Sequence, residues 1–522
     1  MNASTLPPNI VVIMADQLAP QFTGAYGHPL VKTPHMESLA ARGARFDAAY
    51  CNAPLCAPSR FSFMSGQLVS RIAAYDNASE FPASIPTFAY YLRQMGYRTC
   101  LSGKMHFVGP DQLHGFDERL TTDIYPADHA WTPDWEMPDE RIDKWYHNMD
   151  SIREAGVAAT TFQIEYDEET SFFARRRLFE YRMKRTQPFA MVISFIHPHD
   201  PYVARPEWWD LYTEADIDMP LPSLADDPHT RRLMKGIEAD VVAVSDEEVR
   251  HARHAYYANV SYFDNKLGEI VRTLTEADLI DDTIIVVTAD HGDMLGERGL
   301  WYKMNFFEHS ARVPMIMAGP GIVQSVVEEP VSLVDLAPTF IDVATSTGIV
   351  APPPGMPLDG HSLWSLARGM AIDTGIGHGE SREAIGEYCA EITSHPIFMI
   401  RRGSLKYIHC DSDPAQLYDV SNDPLEQENL VDHPDYRAVA ANFAKEIHAR
   451  WDSEVLRADV MATQRQRRAI HAAMQAGTPV SWDYQPVRDA SQEFVRNHQD
   501  WTQAAEVLRY PQLNRSKKRD TE

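Results

Sequence analysis

Through the first two-thirds of the chain, short apolar runs end in clusters of polar residues. Asn9–Met14 (NIVVIM) is apolar without alternation, the pattern of a strand buried on both faces, and it leads into Asp16-Gln17. Thr33-Pro34 opens a helix that closes at Gly43, with the threonine as N-cap and the proline in the first turn. A second helix, Pro86–Met95, is stopped by Gly96. The strand Tyr97–Leu101 runs into Gly103-Lys104-Met105-His106, and Phe189–Ile196 runs into His197-Pro198-His199-Asp200. After a long helical pattern over Val249–Ala277, the strand Thr283–Thr288 runs into Asp290-His291-Gly292-Asp293. One more strand, Val313–Ala318, closes on Gly319-Pro320-Gly321.

Strands alternating with helices predict an α/β fold with a mainly parallel sheet covered by helices. In such sheets, ligands sit beyond the carboxyl ends of the strands, where the polar clusters above all fall. Near Ala351–Gly355 (APPPG) the pattern changes. Phe398–Arg401, Leu405–Cys410 and Gln416–Val420 read as short antiparallel strands, and Tyr436–Met474 as helical. The final stretch, Trp482–Glu522, is polar and ends in a basic tip, Arg515–Arg519. These changes divide the chain into a catalytic α/β domain over 1–380, a smaller subdomain of antiparallel strands and a helix over 381–455, and a helical extension over 456–522 suited to oligomerisation.

Composition narrows the class. With 44% hydrophobic and 23% charged residues the chain is that of a water-soluble globular protein. It has no apolar run long enough for a bilayer and no signal-type stretch over Met1–Pro8, so a cytoplasmic location is expected. The net charge of −26 argues against nucleic acid and anionic membranes as partners, but does not repel a small neutral or zwitterionic substrate. Five irregularly spaced cysteines with no CxxC pair argue against structural zinc, and four of them read as plain reduced thiols.

The fifth, Cys56, opens Cys56-Ala57-Pro58-Ser59-Arg60. Pro58 suits the first turn of a helix over about Pro58–Gln67, whose free N–H groups favour an anion beside residue 56, and Arg60 adds a permanent cation. Asp16-Gln17 and Asp290-His291 each follow a hydrophobic strand. If those strands are neighbours, the four side chains converge as a set of hard oxygens with one imidazole, suited to a divalent cation. Lys104, His106, His199 and Lys303 lie in further polar clusters and are candidate anion ligands and proton donors.

Taken in order, these elements resemble those of the formylglycine-dependent type I sulfatases, which share the alkaline phosphatase superfamily fold. Ala53–Gly66, Leu101–Tyr125, His197–Arg205, Ala289–Phe307 and Trp482-Asp483-Tyr484-Gln485-Pro486 are similar to choline sulfatases, so the resemblance spans nearly the whole chain. Many arylsulfatases carry Asp-Asp and Asp-Asn where this chain has Asp16-Gln17 and Asp290-His291, which leaves the metal's identity open.

The resemblance implies a mechanism. A maturation enzyme oxidises Cys56 to formylglycine, whose hydrate is the nucleophile. Asp16, Gln17, Asp290, His291 and an oxygen of residue 56 hold one divalent metal, calcium first, with manganese or magnesium as alternatives. Asp290 takes the nucleophile's proton. Lys104, His199 and Lys303 bind sulfate oxygens, and one of the last two protonates the departing alcohol. His106 and Arg60 hold or promote the second hydroxyl of the hydrate. The implied substrate is a small sulfate ester, choline-O-sulfate foremost. Its quaternary ammonium group calls for aromatic faces and a carboxylate. The segment Tyr125–Asp150 offers Tyr125, Trp131, Trp135, Trp145 and Tyr146, of which Trp131, Trp145 and Tyr146, together with Asn148, are the expected contacts. A homo-oligomer is also expected. A phosphonate monoester or phosphodiester hydrolase has nearly the same site and is the competing reading; a non-catalytic metal- or anion-binding protein is the third.

Overall fold

The computed structural model describes residues 6–138, 147–183, 185–222, 227–370, 382–489, 500–507 and 509–512. Its larger layer is an eight-stranded sheet built from β1 (Asn9–Asp16), β2 (Ala44–Phe46), β3 (Arg98–Gly103), β4 (Glu118–Arg119), β5 (Phe189–Pro198), β6 (Thr283–Ala289), β7 (Met315–Ala318) and β8 (Ser325–Val327). The order across the sheet is β8-β2-β7-β6-β1-β5-β3-β4. Strands β6, β1, β5, β3 and β4 are parallel, and β7 is antiparallel to both its neighbours. The central strands β1, β5 and β6 are buried along their whole length, which explains their continuous apolar runs.

Helices cover this sheet: α1 (Pro34–Ala40), α2 (Cys56–Ser65), α3 (Phe88–Gln94), α4 (Phe162–Met183), α5 (Asp246–Glu276) and α6 (Leu336–Thr345). The longest, α5, starts three residues before the predicted pattern because Ser245 and Glu248 form a capping box that satisfies its first free N–H groups.

A second, four-stranded antiparallel sheet contains β9 (Glu383–Tyr388), β10 (Ile397–Arg402), β11 (Leu405–Cys410) and β12 (Asp413–Asp419) in sequential order. It packs with α7 (Arg437–Arg450) and α8 (Ser453–Met474), so the single helical stretch predicted over Tyr436–Met474 is two helices meeting at Trp451-Asp452. Asp452 caps α8 through the Val455 N–H, which makes the break a new helix start. Leu456 and Val460 share a hydrophobic cluster with Phe443 and Ile447, so the division at 455/456 falls inside a helix packed on the smaller sheet. A buried ion network links the two sheets: Lys406 on β11 pairs with Glu308, beyond β6, and with Glu426.

Candidate active site

Strand register builds the centre of the site. Pairing of β1 with β6 runs from Asn9↔Thr283 to Ala15↔Ala289, so the residues that follow, Asp16 and Asp290, emerge side by side. Gln17 takes a positive φ of 63°, and its backbone N–H donates to Asp290 Oδ1 at 3.0 Å, turning the chain sharply away from the strand. On the other flank, Gly103 at the end of β3 has a φ of 99°, and a Cβ there would lie 2.0 Å from the Ser194 carbonyl oxygen. Only glycine lets β3 and β5 run this close while the chain swings Lys104 into the site.

Cys56 is the first residue of α2, which covers Cys56–Ser65; the sequence had placed this helix at Pro58–Gln67. The helix starts earlier because Leu55 is extended and accepts the Ser59 N–H, leaving Pro58 in the first turn where its missing N–H costs nothing. Asn77 Oδ1 accepts the Ala57 N–H at 3.0 Å and so holds the loop after α2 against the nucleophile position. The Cys56 Sγ lies 3.3 Å from His291 Nε2 and 3.8 Å from Asp16 Oδ1. Burial, with the Asp16 charge beside it, pushes the thiol up to about 12, so at neutral pH an unmodified Cys56 is a protonated, poor nucleophile.

Arg60, fully buried, ties the cluster together. Its Nη2 donates to Asp16 Oδ2 and its Nε to Asp290 Oδ2, both at 2.9 Å, while Nη1 donates to the Lys104 carbonyl and Ser194 Oγ. Lys104 Nζ pairs with Asp16 Oδ2 and sits 4.2 Å over the Tyr125 ring. Burial acts to raise Asp16, but Lys104, His199 and Arg60 outweigh it and hold the carboxyl well below the usual range.

Among the described residues, Asp16, Cys56, Asp290 and His291 bring one ligand atom each within 4.8 Å of one another. His291 Nδ1 faces the Gly292 carbonyl at 3.0 Å, so Nδ1 carries the hydrogen and Nε2 turns its lone pair toward the cluster. Gln17 is aimed by its amide: Nε2 donates to Asp293 at 2.7 Å and Asp200 at 3.2 Å, and Oε1 accepts from Lys303 Nζ at 2.5 Å. Carboxylate and amide oxygens with one imidazole fit a hard divalent cation.

Lys303 Nζ also lies 3.0 Å from His199 Nε2. His199 Nδ1 is 2.7 Å from the Asp200 carbonyl, so it holds the hydrogen and Nε2 accepts from the lysine. Burial and Lys303 hold His199 well below the usual histidine range, which keeps it neutral. His106 is buried, with a φ of 58°, and among the described residues neither ring nitrogen has a hydrogen-bond partner. Burial and Lys104 push it down to about 3. Its ring packs against Tyr125 and Trp131, with centroids 5.1 and 5.7 Å away.

The sequence-chosen substrate contacts divide three ways. Trp131 is half-buried and joins the aromatic corner with Tyr125 and His106. Asn148 lies beside Tyr302, whose hydroxyl donates to the Asn148 carbonyl at 2.5 Å, while the Asn148 Oδ1 accepts the Asp150 N–H. Trp145 and Tyr146 lie outside the described residues. Trp135 is not a pocket ring: it is buried, and its Nε1–H donates to the Ala390 carbonyl.

Sequence reasoning missed several neighbours. Asp123 accepts the backbone N–H groups of Met105 and His106 and so fixes the positive-φ turn at His106. His147 stacks on Tyr302 at 4.3 Å and pairs with Asp200. Glu391 is buried, one of its carboxylate oxygens has no hydrogen-bond partner among the described residues, and burial pushes it up to about 8. Its loop precedes β10, far along the chain from the Asp and His clusters, and no local motif marks it.

Residues 8–346 match the family model described as sulfatase, and residues 296–452 match that of the N-sulphoglucosamine sulphohydrolase C-terminal region. The chain belongs to the sulfatase family and is a sulfuric ester hydrolase of the alkaline phosphatase fold. More particularly, residues 458–510 match the model described as choline sulfatase enzyme C terminal, and the chain is 45% identical to a choline-sulfatase of Rhizobium meliloti (strain 1021) over 97% of its own length and 99% of that protein's. It is 27% identical to human arylsulfatase K over 81% of this chain and 79% of that one. Its fold matches a phosphonate monoester hydrolase of Agrobacterium radiobacter with a TM-score of 0.67 at 24% identity, covering 87% of this chain and 96% of that one.

Proposed function

We propose that this chain hydrolyses choline-O-sulfate to choline and sulfate. The observation that carries the reading is the 45% identity to a choline-sulfatase over 97% of the chain, joined to the C-terminal match over residues 458–510.

The buried cluster supports the chemistry. Asp16, Asp290 and His291, whose ligand atoms converge with that of residue 56, are the residues that would hold a divalent metal, with Gln17 beside them as a further oxygen donor; calcium fits the oxygen-rich donors, with manganese or magnesium as alternatives. Such an ion supplies positive charge against the sulfate and lowers the pKa of the attacking hydroxyl. Formylglycine at position 56, made by a maturation enzyme, would supply a hydrate oxygen to attack sulfur, with Asp290 placed to take the proton of that oxygen. Arg60 keeps that carboxylate oriented through the 2.9 Å bond to Oδ2. Lys104, His199 and Lys303 hold sulfate oxygens. Neutral His199 bound to Lys303 places a cationic proton donor at the leaving oxygen, so Lys303 protonates the departing alcohol directly or through His199. Neutral His106, with both nitrogens unpartnered, then takes the proton of the second hydroxyl. A carbonyl forms at residue 56 as its bond to the sulfate oxygen breaks, and sulfate leaves with that electron pair.

The trimethylammonium end is assigned to the faces of Trp131 and Tyr125, with Asn148 nearer the ester, and to the partnerless oxygen of Glu391 as counter-charge. Residues 1–380 carry the catalytic machinery in this reading, 381–455 contribute Glu391, and 456–522 serve assembly into a homo-oligomer. Among the described residues no helix is long and apolar enough to cross a membrane. The proposed site of action is the cytoplasm.

The test is a substrate panel. Protein supplied with Ca²⁺ is assayed on choline-O-sulfate, 4-nitrophenyl sulfate and a phenyl phosphonate monoester, and residue 56 is examined by peptide mass spectrometry. Choline-O-sulfate should give the highest kcat/KM, the thiol should be absent from active protein, and Cys56→Ala should abolish turnover while keeping the melting temperature. A higher kcat/KM on the phosphonate would instead favour the phosphonate monoester hydrolase reading. Full activity with an intact thiol would remove the nucleophile.

A further inference from the structure

Away from the catalytic cluster, the smaller sheet carries a second convergence of ligating side chains. His409 lies near the end of β11, Asp411 in the two-residue turn that joins β11 to β12, and His448 in the last turn of α7. Their ligand atoms all lie within 4.8 Å of one another. His409 Nε2 is 2.8 Å from Asp411 Oδ1, and the two imidazole rings meet edge-on with centroids 5.1 Å apart.

Two further observations make this more than a chance meeting of surface side chains. The His409 ring is 13% exposed and lies nearly parallel to Tyr407, so its direction is set by packing. Its Nδ1 is buried and has no hydrogen-bond partner among the described residues. The donors therefore come from a strand, a tight turn and a helix end, at the junction where α7 stops and α8 begins.

We propose that His409, Asp411 and His448 form a second metal site, distinct from the catalytic one and selective for a borderline divalent transition metal such as zinc. Two imidazole nitrogens and one carboxylate oxygen suit Zn²⁺, Co²⁺, Ni²⁺ or Cu²⁺, whereas the oxygen-rich catalytic set suits a harder cation. Binding at Nε2 displaces the His409–Asp411 hydrogen bond, and the neutral ring then carries its one hydrogen on Nδ1 while the Nε2 lone pair takes the metal. Asp411 and His448 are exposed, so solvent completes the coordination. The ion's role is to pin the β11–β12 turn to the end of α7. By linkage it stabilises the folded chain in proportion to the logarithm of metal concentration over its dissociation constant.

The experiment uses full-length protein, its His448→Ala variant and its Asp411→Asn variant. Both changes are at exposed positions and neither touches the catalytic residues. Each protein is titrated with Co²⁺ followed by visible absorption, then dialysed against Zn²⁺ and analysed for bound metal, and its melting temperature is read with and without Zn²⁺. Because the catalytic site is the same in all three, the difference between them isolates the new site. The parent should take up one more equivalent of metal than His448→Ala, and Asp411→Asn should weaken that equivalent by at least roughly 10-fold. The melting temperature should rise with Zn²⁺ in the parent and much less in His448→Ala. Turnover of sulfate ester before zinc is added should be equal in all three. Equal metal uptake by the parent and His448→Ala, or an equal zinc-dependent shift in melting temperature, would overturn the proposal.

Discussion

At the scale of single residues, the site is governed by polar groups taken out of water. Cys56, Arg60 and His106 are all essentially unexposed, and burial shifts each protonation equilibrium unless a neighbour compensates. Arg60 and Lys104 compensate Asp16; for Glu391 a backbone hydrogen bond and the Lys303 charge offset burial only in part, and burial lifts it to about 8. Its ordinary value is 4.5, so between those two values the carboxyl binds a proton in the folded state that the unfolded chain has released. This contribution to stability is full below pH 4.5 and is lost as pH rises through 8. The same group predicts the behaviour of a cationic substrate. Ionised Glu391 attracts the ammonium and protonated Glu391 does not, so KM for choline-O-sulfate should fall as pH rises toward and past 8. Glu391→Gln should flatten that dependence and raise KM roughly 10-fold, a loss of about 1.4 kcal/mol, while leaving KM for 4-nitrophenyl sulfate nearly unchanged. An equal change for both esters would place the ammonium elsewhere. Asp16, Lys104, His199 and Asp290 were legible in the sequence because each lies at or just beyond the end of an apolar strand. Glu391 was not, because an isolated glutamate acquires meaning only from the burial around it.

At the scale of elements, the strands predicted for the large sheet match their observed counterparts to within about two residues at each end, because runs buried on both faces have few alternatives, whereas the partly exposed β12 starts three residues before the predicted Gln416. Helix α4, 22 residues long, was not predicted. Its buried positions follow helical spacing but include Gln163, Asp167, Thr170 and Ser171, so no apolar stripe marks it. Asp167 explains one of these: it accepts the backbone N–H groups of Ile196 and His197 and faces His197 Nδ1, anchoring the end of β5 from the helix. The start of α5 offers a clean test of local chemistry. Ser245→Ala removes the capping-box acceptor at an exposed position and should cost about 1 kcal/mol by denaturant titration, with turnover unchanged. A loss below a few tenths of a kcal/mol would mean that tertiary packing alone holds the first turn.

At the scale of the whole molecule, the C-terminal helices reach the catalytic end of the large sheet. Arg467 on α8 grips Asp76 through both terminal nitrogens, at 2.6 and 2.7 Å, and both side chains are buried. The next residue, Asn77, caps the backbone beside Cys56. Gln464 on the same helix accepts the Trp135 N–H. Arg467→Met would strand a buried carboxylate and should destabilise the protein by about 3–5 kcal/mol. It should also lower kcat by loosening the Asp76-Asn77 turn. Arg467→Met combined with Asp76→Asn removes the stranded charge and should recover part of the stability, measured by thermal unfolding. If the double variant is no more stable than the single one, the ion pair is not what couples α8 to the site.

By itself the sequence determined the class of fold, the central strands and the pairs Asp16-Gln17 and Asp290-His291 at their ends, because these depend on periodicity and on residue types held next to one another along the chain; that the two pairs meet beside Cys56 was decided by strand register. Only the tertiary structure decided which rings line a pocket and which fill a core, as with Trp131 and Trp135, or that Arg60 bridges two carboxylates from strands some 270 residues apart. It also decided that α8 supports the loop beside Cys56, and that His409, Asp411 and His448 meet. The physical reason is that burial, and contact between segments remote in sequence, are properties of the packed chain. They set the charge and direction of a side chain, and neither is written in its local neighbours.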